Sequence, residues 1–373
     1  MAPTWLAQLH RNVFSRSTYE TQADFQAAKA QWQKPGDILT VLMIIGGDIV
    51  QRALAQLSGS RDLPLAPVAF SFGWVFYSFS SIMSAIGDGR LMPQPDCSVT
   101  LTNVHSGYSR PVNSWILSRL VRDCETRFKY EHGLTIQFLY TSPSKTPGVP
   151  DRDWLYYSGI AVIIAQLGIA AIPGCLFGNW MVFILTAAGT VLALVSGALP
   201  QWRREKWAAR DVGAGARSVV CLTRGNGAKL VLVIVSDGCG LRLEDLAAAR
   251  TSPSRDTIVA TVVLGVLWLA HLLTIICLKD DAWYPLAVGA LGMVQNGVAA
   301  GARRMPSALG FHFNEAKTKI VHEKKVFDAI KEAEAVEANV GVLLVDTFFP
   351  GGALRPDEEL WLKSRRAERQ ALS

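Results

Sequence analysis

The hydrophobic positions of this chain are gathered into long blocks of about 20 residues, the length that an α-helix needs to cross the hydrocarbon core of a bilayer. The blocks form three pairs, and longer polar stretches separate one pair from the next. The blocks lie at residues 38–57, 65–86, 155–177, 180–200, 257–278 and 282–302. The pattern therefore predicts six transmembrane helices.

Lysine and arginine are distributed unevenly between these blocks. The four longer polar segments, residues 1–37, 87–154, 201–256 and 303–373, hold 4, 8, 10 and 12 of the 37 basic residues. With six spans all four segments fall on one side of the membrane, and the positive-inside rule names that side cytosolic. The sequence thus predicts that both termini are cytosolic. It is compatible with either the plasma membrane or the endoplasmic reticulum as the location. The basic cluster RREKWAAR at 203–210, immediately after the fourth predicted span, is the clearest single stop signal for a transmembrane segment.

The segment between the second and third spans carries the pattern of a folded unit. Residues 98–105 and 133–140 read as strands, and residues 112–127 between them read as a helix with an apolar stripe. These three elements predict a small strand, helix, strand unit.

The segment between the fourth and fifth spans predicts a β-hairpin. Residues 218–223 and 228–235 are apolar enough to be strands, and the turn Arg224–Gly227 between them contains Asn-Gly, which accepts the positive φ of tight turns. We therefore expect the two loops to share one small sheet. In the C-terminal tail, residues 322–338 and 356–370 predict amphipathic helices.

The fold class that follows is an α-helical polytopic membrane protein with about six transmembrane helices and small α/β cytosolic segments. Its predicted parts are a cytosolic N-terminal tail (1–37), helices one and two (38–86), an α/β loop (87–154), helices three and four (155–200), a hairpin-containing loop (201–256), helices five and six (257–302) and a cytosolic C-terminal tail (303–373).

Composition agrees with a membrane protein. Half of the residues, 50%, are hydrophobic, only 18% are charged, and the mean hydropathy is +0.23, a balance that soluble enzymes of this size rarely show. The net charge of +6 is explained by an anionic membrane face better than by nucleic acid, so the predicted partner is the lipid bilayer. The six cysteines form no C-x-x-C pair, and we predict neither a metal site nor a cofactor.

Several segments carry a family resemblance. They are GDIVQRALAQL at 47–57, NVHSGYSRPVNSWILSRLVRD at 103–123, LPQWRREKWAAR at 199–210, LTRGNGAKLVLVIV at 222–235, GLRLEDLAAA at 240–249 and LVDTFFPGGALRP at 344–356. Together they resemble a family of fungal multi-pass integral membrane proteins. The resemblance implies a filamentous-fungal source and an association with secondary metabolism, and it assigns no role to any residue.

The first span contains ionisable residues that interrupt its apolar run. Asp48 and Arg52 stand four residues apart, on one helix face, and either charge alone in hydrocarbon would be costly. One interpretation is a polar path or ligand site lined by Asp48, Gln51 and Arg52. The other, which we favour, is an internal ion pair with Arg52 reaching towards the exoplasmic headgroups.

Polar residues in the last two spans are the remaining candidates. His271 in the fifth span reads as a proton relay or metal ligand, or, as we favour, as a partner in a buried interhelical hydrogen bond. Gln295 and Asn296 in the sixth span read as ligand contacts or, again favoured, as polar contacts between helices.

The absence of a catalytic motif from the sequence favours a non-catalytic role. We expect an anchoring, scaffolding or accessory transport protein, with a small lipophilic molecule as a further candidate partner. The alternative is a membrane-embedded enzyme acting on a lipophilic substrate, with Asp48 and His271 as its acid and base.

Overall fold

The structure, a computed structural model, describes residues 36–87, 90–127, 132–249, 251, 254–276, 283–352 and 354–372. Most of the predicted N-terminal tail, residues 1–35, and the end of the fifth predicted span from Cys277 lie outside the described residues.

The helices and strands follow one another along the chain as two interleaved sets. In chain order the helices are α1 (Gly36–Leu57), α2 (Gly73–Ile86), α3 (Trp115–Glu125), α4 (Trp154–Phe177), α5 (Met181–Gly197), α6 (Pro200–Lys206), α7 (Leu243–Ala248), α8 (Arg255–Ile276), α9 (Trp283–Gly301), α10 (Pro306–Leu309), α11 (Val326–Val336), α12 (Val340–Phe348) and α13 (Pro356–Leu372). The strands are β1 (Thr100–Asn103), β2 (Ser109–Pro111), β3 (Leu134–Tyr140), β4 (Arg217–Thr223), β5 (Leu230–Asp237) and β6 (Lys319–Glu323).

The apolar blocks form a helical bundle. Helix α1 packs against α2 and α9, α4 packs against α5 and α9, and α8 packs against α2 and α5. Three apolar stretches of the described chain are long and apolar enough to cross a membrane: α4, the continuous stretch Met181–Lys206 of α5 and α6, and α8. The prediction of six spans is thus supported for three of them.

The second predicted span, residues 65–86, differs from expectation. Only its second half is helical, because α2 begins at Gly73, while residues 63–71 have no helical or strand structure. The helix is 14 residues long. At 1.5 Å per residue that is about 21 Å, short of the roughly 30 Å of a hydrocarbon core.

The two predicted loops do share one sheet. Its strand order is β2-β1-β4-β5-β3-β6, in which β3 and β5 run parallel and the other neighbours run antiparallel. The predicted hairpin is the β4–β5 pair, with Val219 opposite Val235 and positive φ at Gly225 and Gly227 in the turn. The predicted strands and helix of the first loop are also confirmed, as β1, α3 and β3.

Both faces of the sheet are covered, which explains why β5 is apolar at successive positions. Leu232 and Ile234 belong to a core that continues through α3 into the bundle. Val231 and Val233 belong to a second core with α11, α12 and α13. A strand buried on both faces loses the alternation of apolar and polar residues.

The C-terminal tail differs from its prediction at one helix. Residues 319–323, partly assigned to a helix over 322–338, form edge strand β6 against β3, and helix α11 starts only at Val326. The helix predicted over 356–370 is confirmed as α13.

Candidate functional site

Residues 66–72 enter the bundle as non-helical backbone. Ala66 lies beside Gly197 at the end of α5, and the ring of Phe70 lies beside Gly189 of the same helix. Eight residues of helix separate these glycines, or about 12 Å along its axis. The chain therefore descends from the sheet end of the bundle into its interior.

Helix α2 then returns to the end from which the chain entered. It starts where Gly73 packs on Gly46 of α1, so closely that a Cβ on either glycine would collide with the backbone of the other. Soon after α2, Leu91 accepts a hydrogen bond from Gln51 and its N–H donates to Glu205 of α6. Residues 66–86 thus form a re-entrant segment, with both ends at the sheet end of the bundle.

Side chains of other helices donate hydrogen bonds to backbone carbonyls of this re-entrant segment. The Gln166 amide donates to the carbonyls of Phe70 and Val288, each at 2.7 Å. The Asn296 amide donates to the Ala69 carbonyl at 2.9 Å and to the Ser71 hydroxyl at 3.1 Å. Irregular backbone at membrane depth persists only when protein or water supplies such partners.

Glycines make room for the re-entrant segment on three helices. A Cβ on Gly159 of α4 would collide with the Pro67 carbonyl oxygen, and one on Gly292 of α9 would collide with that of Phe70. At Gly189 of α5 a Cβ would press on the Phe70 and His271 rings. The segment is therefore enclosed by closely packed protein.

His271 contributes an aromatic surface to this site. Its ring packs edge-on against Phe70, with centroids 5.4 Å apart, and against Trp268 at 5.8 Å. Its buried Nε2 has no hydrogen-bond partner among the described residues, so the interhelical hydrogen bond predicted for His271 is not seen at that atom.

Gln295 makes a contact between two helices, whereas the partners of Asn296 lie in non-helical backbone. Asn296 joins α9 to the re-entrant segment, and the Gln295 amide donates to the Ser158 hydroxyl of α4 at 2.9 Å.

Asp48 and Arg52 form the expected ion pair, at 3.2 Å. Arg52 reaches towards the sheet, because its Nη1 also lies 3.3 Å from Asp96, in the segment that precedes the sheet. Helix α1 therefore ends at the sheet end of the bundle, the opposite direction from that implied by six full spans. The Asp48 side chain is 70% exposed in the structure.

Asp96 is the centre of a buried charged cluster where the sheet meets the bundle. Its carboxylate lies 2.7 Å from Arg119 and 3.1 Å from Arg122, both on α3. Asp123, one turn after Arg119, is 2.9 Å from Arg122 and accepts from the Arg304 backbone N–H. We call Asp96, Arg119, Arg122 and Asp123 the junction cluster.

Buried cations near this cluster bind the carboxyl-terminal ends of two bundle helices. Arg119 donates to the Ala302 carbonyl at 2.6 Å, and Lys206 donates to the carbonyls of Gln56 and Ser58. Arg304 joins the Gln56 carbonyl to the Asp153 carboxylate. Cations are favourable at these helix ends, which carry partial negative charge. Burial lowers the pKa of Arg119, and the hydrogen bond that Arg119 donates to the Asp96 carboxylate opposes that shift.

Sequence reasoning missed most of these residues. Asp96, Arg119 and Asp123 stand in a polar segment and look like solvated charges, and Lys206 belongs to the basic cluster that we interpreted as a stop signal. Gln166, alone within an apolar block, was the clearest available signal, since an amide there needs a partner.

The contacts described above join one element of the fold to another. Within the described ranges, no three His, Cys, Asp or Glu side chains are grouped so as to hold a metal ion. Asp48 pairs with Arg52, whereas the His271 ring packs against Phe70 and Trp268. Comparisons with protein-family models, curated proteins and solved structures give no match to this chain.

Proposed function

We propose that this chain is a multi-pass integral membrane protein that anchors a folded cytosolic α/β domain and acts as a scaffold. The observation that carries the proposal is the joint between the two parts. One hydrophobic core continues from the sheet into the bundle, and the junction cluster fixes α3 to the ends of α1 and α9. Such a joint presents the domain in one orientation at the membrane surface.

The same proposal includes a topology of five crossings, by α1, α4, the α5–α6 stretch, α8 and α9, with the re-entrant segment as the sixth apolar block. Three segments rich in Lys and Arg, with 8, 10 and 12 such residues, then lie on the same side as the sheet. They are residues 87–154, 201–256 and 303–373. The positive-inside rule makes that side cytosolic. Because α1 ends at the sheet, the N-terminal tail is assigned to the opposite side.

An accessory transport role and the fungal secondary-metabolism association remain predictions. The enzyme alternative gains nothing from the geometry, since its acid and base are not brought together. An extracellular or luminal partner for the N-terminal tail is equally a matter for experiment.

Complementation of a strain that lacks the gene for this protein distinguishes the scaffold proposal from the enzyme alternative. We expect Asp48→Asn and His271→Ala to restore any growth or metabolite profile that the deletion changes. Immunoblots of carbonate-washed membranes control for the amount of inserted protein, and His271→Gln serves as a second variant in case the alanine variant does not accumulate. Loss of complementation by variants that are present at the normal level contradicts the scaffold proposal.

A further inference from the structure

An open cleft lies beside the end of helix α6, apart from the re-entrant segment. Its volume is about 450 Å³. Pockets for small molecules measure about 300 to 1,000 Å³, so the cleft has the capacity for a small ligand or a headgroup. Its walls are formed by Arg110, Ala208, Ala209, Arg210, Asp245 and Ala248.

The cleft carries more positive than negative charge. Arg210 donates to both oxygens of Asp245, from Nε at 2.7 Å and from Nη2 at 3.0 Å, which neutralises the single lining carboxylate. This contact, and the nearby charge of Arg242, lower the pKa of Asp245.

Arg110 supplies the excess charge. Its Nη1 donates to the Glu244 carbonyl at 3.0 Å, and its guanidinium lies over the Tyr108 ring. Its buried Nε has no partner among the described residues. That nitrogen is closed to solvent, so a ligand in the open cleft would meet the terminal nitrogens of Arg110 instead.

The cleft also lies between two membrane-crossing stretches of the chain. Ala208 comes two residues after Lys206, where the apolar stretch Met181–Lys206 ends. Asp245 and Ala248 belong to α7, shortly before α8 begins at Arg255. If the chain spans the membrane as proposed above, the cleft lies at headgroup depth.

We propose that this cleft binds the phosphate group of an acidic phospholipid. Arg110 and Arg210 both line the cleft, and the N–H groups that their contacts with Glu244 and Asp245 do not use would donate to phosphate oxygens. The three alanines contribute short side chains to walls that are otherwise polar. A soluble phosphate ester presents the same group, so the experiment must separate the two sources.

The test uses the purified full-length chain in detergent. Short-chain phosphatidic acid, short-chain phosphatidylcholine and inorganic phosphate are titrated separately, and the thermal unfolding temperature is followed. Arg110→Gln and Arg210→Gln remove a charge from the cleft. Arg366→Gln is the matched control, because Arg366 pairs with Asp346 on the other side of the sheet.

We expect phosphatidic acid to raise the unfolding temperature of the wild type and of Arg366→Gln, with phosphatidylcholine without effect. Each cleft variant should weaken the apparent affinity by about tenfold or more, the size of a lost charged hydrogen bond. An equal response to inorganic phosphate assigns the site to soluble phosphate and overturns the lipid proposal.

Absence of any response, or an unchanged response in both cleft variants, overturns the site itself. Failure of the scaffold and membrane proposal is recognised independently, because the protein would then be released from membranes by alkaline carbonate.

Discussion

At the scale of single residues, this protein uses glycine and amide side chains where an ordinary bundle would use large apolar ones. Gly159, Gly189 and Gly292 admit the re-entrant segment, and Gln166 and Asn296 pair with its carbonyls. These residues act together, since the close approach that the glycines permit is what brings the amides within hydrogen-bonding distance.

Substitution of Gly292 should therefore destabilise the protein. An added methyl group in Gly292→Ala collides with backbone, which cannot move aside as a flexible side chain would, and overpacking costs about 1–3 kcal/mol. Gly297→Ala, on the same helix, is the control, because nothing lies within 4 Å of its Cβ position. Thermal unfolding in detergent should show a lower midpoint for Gly292→Ala alone. Equal midpoints would contradict the tight packing described above.

Two buried cysteines predict a dependence of stability on alkaline pH. Burial raises the pKa of Cys124 and Cys221 from the ordinary value of 9.0 to about 12. The unfolded chain therefore loses these protons first, so the folded state loses stability as the pH rises from 9 towards 12. We expect a double Cys→Ala variant to show a shallower decline in unfolding temperature over that range. A decline of unchanged slope would assign the effect to other groups.

At the scale of elements, the main result is that an apolar block of spanning length need not form a helix of spanning length. Residues 65–86 satisfy every compositional requirement for a transmembrane helix, yet the chain enters the bundle in irregular form and returns as α2. Hydropathy measures how favourable it is to place the side chains of a segment in the membrane interior. It does not distinguish a helix from irregular backbone whose N–H and C=O groups are hydrogen-bonded to other parts of the protein.

The topology can be tested by cysteine labelling. In a cysteine-free background, Ser60→Cys and Gln94→Cys should react with an impermeant thiol reagent from the same side of sealed vesicles. Asn179→Cys, in the turn between α4 and α5 at the other end of the bundle, should react from the opposite side. Six complete spans would instead place residue 60 with residue 179.

Individual helices and strands were predictable where the local residue pattern alone indicates them. The β4–β5 hairpin followed from an Asn-Gly turn between apolar runs, and β3 and α3 followed from their periodicity. Strand β6 did not, because its residues gain a strand conformation only by pairing with β3. The direction of α1 was missed for a similar reason, since the partner of Arg52 is 44 residues away.

At the scale of the whole molecule, the sheet and the bundle are joined through buried charge as well as apolar contact. Asp96 and Asp123 each have side chains less than 5% exposed, and their arginine partners lie on the helix that faces the bundle. Removing one member of such a cluster leaves its partners buried and uncompensated, which is costlier than losing a surface pair.

Asp96→Ala should consequently lower the stability of the complete protein by about 3–5 kcal/mol. Glu125→Ala is the control, because its pair with Arg224 is partly exposed and should be worth no more than about 1 kcal/mol. Denaturation followed both by tryptophan fluorescence and by helical circular dichroism gives the comparison. Similar losses in the two variants would mean that the junction cluster contributes no more than a surface pair.

The re-entrant segment also has a consequence for the order of assembly during synthesis. Its carbonyls pair with Gln166, 96 residues beyond Phe70, and with Asn296, 227 residues beyond Ala69. A ribosome has therefore made most of the protein before Asn296 exists. Until then the Ala69 carbonyl lacks the partner that it has in the folded protein, so the full set of contacts forms only after α9 has been synthesised.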